Sequence, residues 1–179
     1  QARIAKGADS VKAGSGALGG SVMFQTKDAR DYLIDKNWHL GFKNGHASAN
    51  GETLKSFSAV AKQGWFDILV LKTLRSGHEF ENFGYESYDD KVYGRNREKA
   101  DPYNIEKDST LVKVGFEPTD EHRITFAFDG YEHKSRGHDY SYSQLKWSSS
   151  DEESLEKRYT NDKTERKLYS LAYENSTQT

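Results

Sequence analysis

The chain has 179 residues, 34% of them hydrophobic, 30% charged and 13% aromatic, with a formal net charge of −2. Its longest obvious apolar run, Ile68-Leu69-Val70-Leu71, is four residues, against the roughly 18 that a membrane-crossing helix needs, which excludes a helical membrane protein. With 26 basic against 28 acidic residues and no Cys, it lacks the basic excess of a general nucleic-acid binder and offers neither a disulfide framework nor a Cys-based metal site.

The mean hydropathy is low, −0.94, yet the chain holds 11 Tyr, 9 Phe and 3 Trp. Disordered chains are poor in aromatics. A β-barrel with a polar inner wall gives this balance, because only every second strand residue must be apolar. A soluble β-rich binding domain with long loops is the alternative. The chain opens at Gln1 without an initiator Met and stops at Thr179 after a strand-like stretch; it reads as a segment of something longer.

Residues 1–27 are small and Gly-rich, with a candidate strand at Ser21–Thr26. Residues 28–36 (DARDYLIDK) are charged and read as a linker or a short helical turn. Strand-like text starts at Trp38, where Trp38, Leu40 and Phe42 alternate with His39, Gly41 and Lys43 up to Ala47. Asn50-Gly51 signals a hairpin. In the returning segment, Thr53–Lys62, Leu54 and Val60 fall on one face and Phe57, Ala59 and Ala61 on the other. Gln63-Gly64 makes the next turn, and Trp65–Leu74 is the most hydrophobic strand. Both of its faces are apolar at Ile68–Leu71, so its register is open.

A long polar stretch, 76–107, follows; it exceeds an ordinary connection. Thr110, Val112, Val114 and Phe116 then share a face, Glu117–Glu121 is a tight turn, and Ile124, Phe126 and Phe128 alternate up to Tyr131. A second long loop spans about 132–163, with a capping-box pattern for a helical turn at Ser149–Glu153. The last strand, Thr164–Glu174, places Tyr169, Leu171 and Tyr173 together. About six strands of transmembrane length result, with short turns on one side and long loops on the other, the layout of outer-membrane barrels.

Gly14-Ser15-Gly16-Ala17-Leu18-Gly19 matches the dinucleotide fingerprint. That motif exists to aim a helix N-terminus at a pyrophosphate, and here the β-prone Val22-Met23-Phe24 follows. A dehydrogenase reading therefore fails. No Ser/His/Asp or nucleophile-elbow pattern is present, so an enzyme is not expected. The adjacent acids Asp89/Asp90 and Asp151–Glu153 lack a Gly-spaced calcium loop, and no metal site is expected.

Arg3–Val11, followed by Gly14–Val22 and Gln25-Thr26-Lys27, resembles the end of the plug domain of TonB-dependent outer-membrane receptors. The motif positions are Gly7, Ser10, Gly14, Gly16, Gly19 and Gly20. The string Ser15–Lys27 is similar to the branch that takes iron or haem from host haemoglobin, haemoglobin–haptoglobin, transferrin or lactoferrin. Gly77-His78-Glu79, Tyr88-Asp89-Asp90, Arg97–Tyr103 and Lys107–Leu111 look most like the haemoglobin–haptoglobin utilisation receptors of Neisseria-like bacteria.

The resemblance implies an all-β fold, part of a plugged barrel of 22 strands. Residues 1–27 would be the end of the plug, 28–36 a linker and 37–179 the first barrel strands. It further implies haem as the transported ligand with no tightly bound cofactor, and energy through TonB by a segment outside this chain. A surface lipoprotein co-receptor and outer-membrane lipid are the other implied partners, and no nucleic acid is. Trp38, Leu40, Phe42, Val112, Val114, Phe116, Ile124, Phe126 and Phe128 would face lipid.

The loops mix aromatics with charge, as protein interfaces do. Candidate ligand contacts are Phe80, Phe83, Tyr85, Tyr88, Tyr93, Arg95, Arg97, Tyr140 and Tyr142; packing within folded loops is the alternative use of these side chains. His78, His133 and His138 fall in the expected loops and are candidate haem contacts, since imidazole suits iron; the plainer reading of each is a solvated loop residue.

Overall fold

The structure, a computed structural model, describes residues 2–6, 20–24, 26–81, 92–147, 153–156 and 158–176. Among these it is all-β, with 3-10 turns as its only helical elements. Strands β1 (Ala2–Lys6) and β2 (Gly20–Phe24) pair antiparallel. The main sheet holds β3 (Trp38–Ala47), β4 (Glu52–Gln63), β5 (Phe66–His78), β6 (Tyr103–Thr119), β7 (His122–His138) and β10 (Tyr159–Asn175). Two short strands, β8 (Gln144–Trp147) and β9 (Glu153–Glu156), pair with each other between β7 and β10.

The main sheet is an antiparallel meander whose spatial order, β10-β7-β6-β5-β4-β3, follows the sequence. This fits the expected segment of a β-barrel. The turns after β4 and β6 are short and lie at one end. Gly64, at φ +57°, supplies the left-handed residue that the first of them needs. The connections after β3, β5 and β7 lie at the other end, and Gly51 closes the first of these at φ +58°. The one register shift in the β6–β7 ladder falls between Phe116 and Thr119. Pro118, which has no N–H to give a ladder, sits inside it.

The cross-strand register separates two faces. On the first, Phe66, Phe116, Ile124 and Tyr173 form a row beside the short turns. Next come Trp38, Ala61, Ile68, Val114, Phe126 and Leu171, then Leu40, Ala59, Val70, Val112, Phe128 and Tyr169. Phe42 and Phe57 extend this apolar field by one row, where β5 and β10 already carry Lys72 and Lys167. All nine residues expected on the apolar face share it. Trp38, Leu40 and Phe42 are more than 60% exposed, uncovered by the described residues.

The opposite face is mainly polar, with Leu54, Ile105 and Leu168 dispersed on it, and its buried apolar residues gather under one segment. There Val60, Leu69 and the 3-10 turn Ala29–Asp31 meet: Ala29 is 1% exposed, Val60 3% and Leu69 0%. Tyr32, Leu33, Leu71 and Leu111 pack around them. This resolves the open register of Trp65–Leu74. Ile68 and Val70 belong to the apolar face, while Leu69 and Leu71 are apolar because residues 26–37 lie over them.

The strands outrun their expected limits. β5 continues to His78, β6 begins at Tyr103, β7 continues to His138 and β10 begins at Tyr159. The long loops are accordingly 79–102 and 139–158 rather than 76–107 and 132–163. The apolar alternation ends early, but ion pairs carry the ladder on: Lys72 to Asp108 at 2.5 Å, Lys163 to Glu132 at 2.7 Å and Arg166 to Asp129 at 2.9 Å. The capping-box segment falls mostly outside the described residues, and Glu153 opens strand β9.

Leu69→Ala removes the most enclosed side chain of the sheet and is expected to destabilise the protein by about 2–5 kcal/mol. A denaturant titration of the full-length protein that shows no shift for this variant would contradict the placement of residues 26–37 over β5.

Candidate functional site at the loop end

The described parts of the two long loops are joined around Arg97. Its side chain is 2% exposed. Nε donates to Asp101 Oδ1 at 3.0 Å, Nη1 to the Val92 carbonyl at 2.9 Å and Nη2 to the Ala100 carbonyl at 3.2 Å. The guanidinium also lies 5.1 Å from the centroid of Tyr140, a cation–π contact into the other loop. Asp101 completes the link. It accepts the Ser141 amide at 3.1 and 3.3 Å and the Ser141 hydroxyl.

Two 3-10 turns present these groups, Gly94–Asn96 and Tyr140–Tyr142. Tyr93 meets Tyr140 edge-on at 5.2 Å. At the root of the second loop, Asp139 takes the Thr160 hydroxyl at 2.5 Å and lies 3.3 Å from Arg158. The root of the first is tied by Glu79, whose carboxylate accepts the Tyr103 amide at 2.8 Å. Gly137 is required here: a Cβ on it would stand 1.9 Å from the Pro102 carbonyl oxygen.

The expected contact residues therefore divide. Arg97, Tyr93 and Tyr140 hold the loops together. Phe80, Tyr142 and Arg95 are exposed, the first two at 66% and 72%, and Arg158 stands 5.9 Å over the Tyr142 ring. Phe83, Tyr85 and Tyr88 lie outside the described residues, as do Gly7, Ser10, Gly14, Gly16 and Gly19, while Gly20 opens β2.

The three histidines sit on strands, not in loops, because the strands are longer than expected. His78 Nδ1 lies 2.8 Å from the Glu79 carbonyl oxygen. His138 stacks on Tyr140, with centroids 5.4 Å apart and planes at 3°, and meets Tyr159 edge-on at 5.2 Å. His133 is on the polar face, opposite Lys107 and Thr164. By strand alternation His78 and His138 are on the other face, so the three do not converge on one ligand. His133 Nε2 and His138 Nδ1 are both buried without a hydrogen-bond partner. Among the described residues no group of three or more His, Asp or Glu side chains is placed to hold a metal ion.

Beyond the apolar rows, the same face carries alternating charge. Hydrogen bonds from Lys134 and Lys163 hold the Glu132 carboxylate well below the usual range. A groove of about 460 Å³ runs along this zone between Lys55, Leu74, Glu106, Asp108, Glu132 and Lys134. Its lining is mixed, with Lys55, Arg75, Lys107 and Lys134 against Glu106, Asp108 and Glu132.

Sequence reasoning missed a second polar cluster, near the short turns of the polar face. Arg123, 3% exposed, donates to Asp67 at 2.6 and 3.0 Å, to Glu117 at 3.0 Å and to Asp28 at 3.0 Å. The available signal was Asp67, an acid inside the most apolar strand.

No family model matches the chain. The whole chain is 50% identical to haemoglobin-binding protein A of Haemophilus influenzae. It is 51% identical, over 99% of its length, to a probable haemoglobin and haemoglobin-haptoglobin-binding protein 4 of the same species, and 47% identical over its whole length to a haemoglobin-haptoglobin-binding protein A. The chain spans about 18% of the length of the curated relatives it matches. These names match the haemoglobin part of the sequence expectation; the likeness to receptors of Neisseria-like bacteria has no counterpart among the relatives named here.

Asp101→Ala leaves the Ser141 amide and hydroxyl without the acceptor they share, at about 1–3 kcal/mol for each group stranded. Hydrogen exchange at Ser141 and protease cleavage in both loops are expected to rise together. A rise confined to 79–102 would show that the loops are independent.

Proposed function

We propose that the chain is a segment of an outer-membrane receptor that binds host haemoglobin or haemoglobin–haptoglobin and takes up its haem, energised through TonB. The observation that carries this reading is the half-identity, along the entire chain, to proteins named for haemoglobin binding. The relatives are binding proteins, which fits a receptor rather than an enzyme.

The two-faced sheet supports the membrane part. A broad apolar face left uncovered by its own chain needs a non-aqueous neighbour. Aromatic residues mark its two margins, with Trp65, Phe66, Phe116 and Tyr173 beside the short turns and Phe42 and Phe57 toward the loops, and the two rows between mix aliphatic residues with Trp38, Phe126, Phe128 and Tyr169. Aromatic girdles around an apolar band are the pattern of transmembrane barrels. The nine lipid-facing residues expected from sequence are in this field, and the polar face would line the lumen. β3 and β10 each have one unpaired edge, and further strands on those edges would close the barrel and remove the liability of open edges.

In this reading residues 1–27 end the plug, 28–36 link it to the wall and 37–179 begin the barrel. The joined loops face outside and meet the host protein through exposed aromatics such as Phe80 and Tyr142. Haem is cargo, and of the three candidate histidines His133 is the one on the face that would line the lumen. TonB would engage a segment elsewhere in the protein, and a lipoprotein co-receptor would act at the surface.

The full-length protein, extracted from outer membranes in detergent, is expected to be retained on immobilised haemoglobin or haemoglobin–haptoglobin and not on transferrin. Retention on transferrin alone would overturn the ligand assignment. Phe126→Arg is expected to cost roughly 2–4 kcal/mol of membrane stability if it sits at midplane. Equal membrane assembly and equal heat-modifiable gel migration for this variant and the wild type would contradict the lipid-facing assignment.

A further inference from the structure

We propose that residues 26–37 are a fixed strap, clamped to the sheet through Asp28 and Arg123, that stays in place when the chain before it is displaced. The strap crosses the polar face near the short turns and is held along its length. Lys113 Nζ is 3.5 Å from the Thr26 carbonyl oxygen. Arg30 Nη2 donates to Glu174 on β10 at 2.8 Å. Ala29 is enclosed with Val60 and Leu69, the Tyr32 ring lies 5.0 Å from His39 on β3, and the Lys62 amide donates to the Asn37 carbonyl at 2.8 Å.

The centre of the hold is a buried cluster in which one guanidinium serves four segments. Arg123 on β7 pairs with Asp67 on β5 through both of its terminal nitrogens, with Glu117 on β6 and with Asp28 of the strap. Lys113 and Lys62 lie 4.0 Å from Asp28 and Glu117 respectively, so three cations face three carboxylates. The space for this is cut into β6: a Cβ on Gly115 would stand 2.3 Å from Arg123 Nη2 and 2.6 Å from both Asp67 oxygens. A charge-assisted, two-pronged pair of this kind is geometrically demanding. Removing either Arg123 or Asp67 would strand a buried charge, so that pair belongs to the wall itself.

Asp28 differs. Without its charge, Arg123 still has Asp67 and Glu117, so the wall survives and only the strap loses its grip. Asp28 is also the N-cap of the 3-10 turn, accepting the Arg30 amide at 3.3 Å, while Asp31 accepts the Asp28 amide at 2.8 Å. The same oxygen, Asp28 Oδ1, takes both the Arg30 amide and Arg123 Nη2, so Asn would keep an acceptor for both. Ser caps as well as Asp, and its shorter, uncharged side chain does not extend to Arg123, so Asp28→Ser removes the clamp and keeps the cap.

The motion of the upstream chain rests on the receptor reading; the clamp does not. The test uses the full-length protein, with any other accessible cysteine removed, in outer membranes. Ala29→Cys and the 74%-exposed position Ile34→Cys are each treated with a membrane-impermeant maleimide. At rest, Ala29→Cys is expected to label at least tenfold more slowly than Ile34→Cys. Adding Asp28→Ser is expected to bring its rate to within threefold of Ile34→Cys. During haemoglobin-driven uptake in energised cells the slow rate of Ala29→Cys is expected to persist. Fast labelling during uptake overturns the fixed strap, and unchanged protection in the Asp28→Ser background overturns the clamp. If Ala29→Cys fails to assemble, hydrogen exchange at Asp31, Tyr32 and Leu33, whose amides donate to Asp28 and Ala29 carbonyls, reads the same comparison without a cysteine. Absence of haemoglobin binding by the wild type would count against the receptor reading alone, because the resting measurements need no ligand.

Discussion

A slip of one residue in the β5–β7 register would carry Asp67 and Arg123 onto the face that holds Phe66, Val114 and Phe126. Strand side chains alternate strictly, so every pairing in the sheet is bound to that condition. The Arg123–Asp67 pair makes it expensive to violate, because an uncompensated charge would meet either an apolar surroundings or a vacated cavity. Gly115 is the complement of that pair in the intervening strand. The division into one apolar and one polar face is thus pinned at a buried ion pair as well as by hydrophobicity.

The same cluster shapes what lies on top of it. A wholly polar inner face would have no means of seating a chain segment out of water, and a wholly apolar one would bind any segment without direction. Val60, Leu69, Leu71 and Leu111 offer a small apolar seat, and Arg123 sets the position of the segment that takes it. At the far end Arg97 plays a comparable part: its hydrogen bonds to Val92, Ala100 and Asp101 shape its own loop, while its contact with the Tyr140 ring and the Asp101–Ser141 hydrogen bonds reach a segment about 40 residues on. Both sites use arginine where a forked, planar cation can serve several acceptors at once.

Much of the sheet was legible in the sequence. β3 matches its expected range from Trp38 to Ala47 because its alternation is strict and Asn50-Gly51 marks its return. The faces of Phe57, Val60, Phe126 and Tyr169 were legible for the same reason. The register of β5 was not, because the cover over Leu69 and Leu71 comes from Ala29, Tyr32 and Leu33, far back in the chain, and leaves no periodic trace. Strand ends were misjudged where Glu132 and Lys163 replace apolar partners: charge–charge pairing keeps a ladder going without an alternation to read. At the candidate site, Arg97 and Tyr140 were expected as ligand contacts and instead touch each other and fasten the loops; composition cannot separate an arginine that meets a partner from one that fastens its own loop.

The strand order has a kinetic side. Neighbours in the main sheet follow one another in the chain, three of the five connections being short and two long, so the sheet can grow by successive addition of hairpins. The strap is the exception. Its contacts to Arg123 and Glu174 span 95 and 144 residues of sequence, and both partners lie on late strands. Asp28 therefore has no completed site to enter until β5, β6 and β7 have assembled, which makes the seating of the strap a late event and leaves its own residues waiting, already capped, for a wall that is synthesised after them.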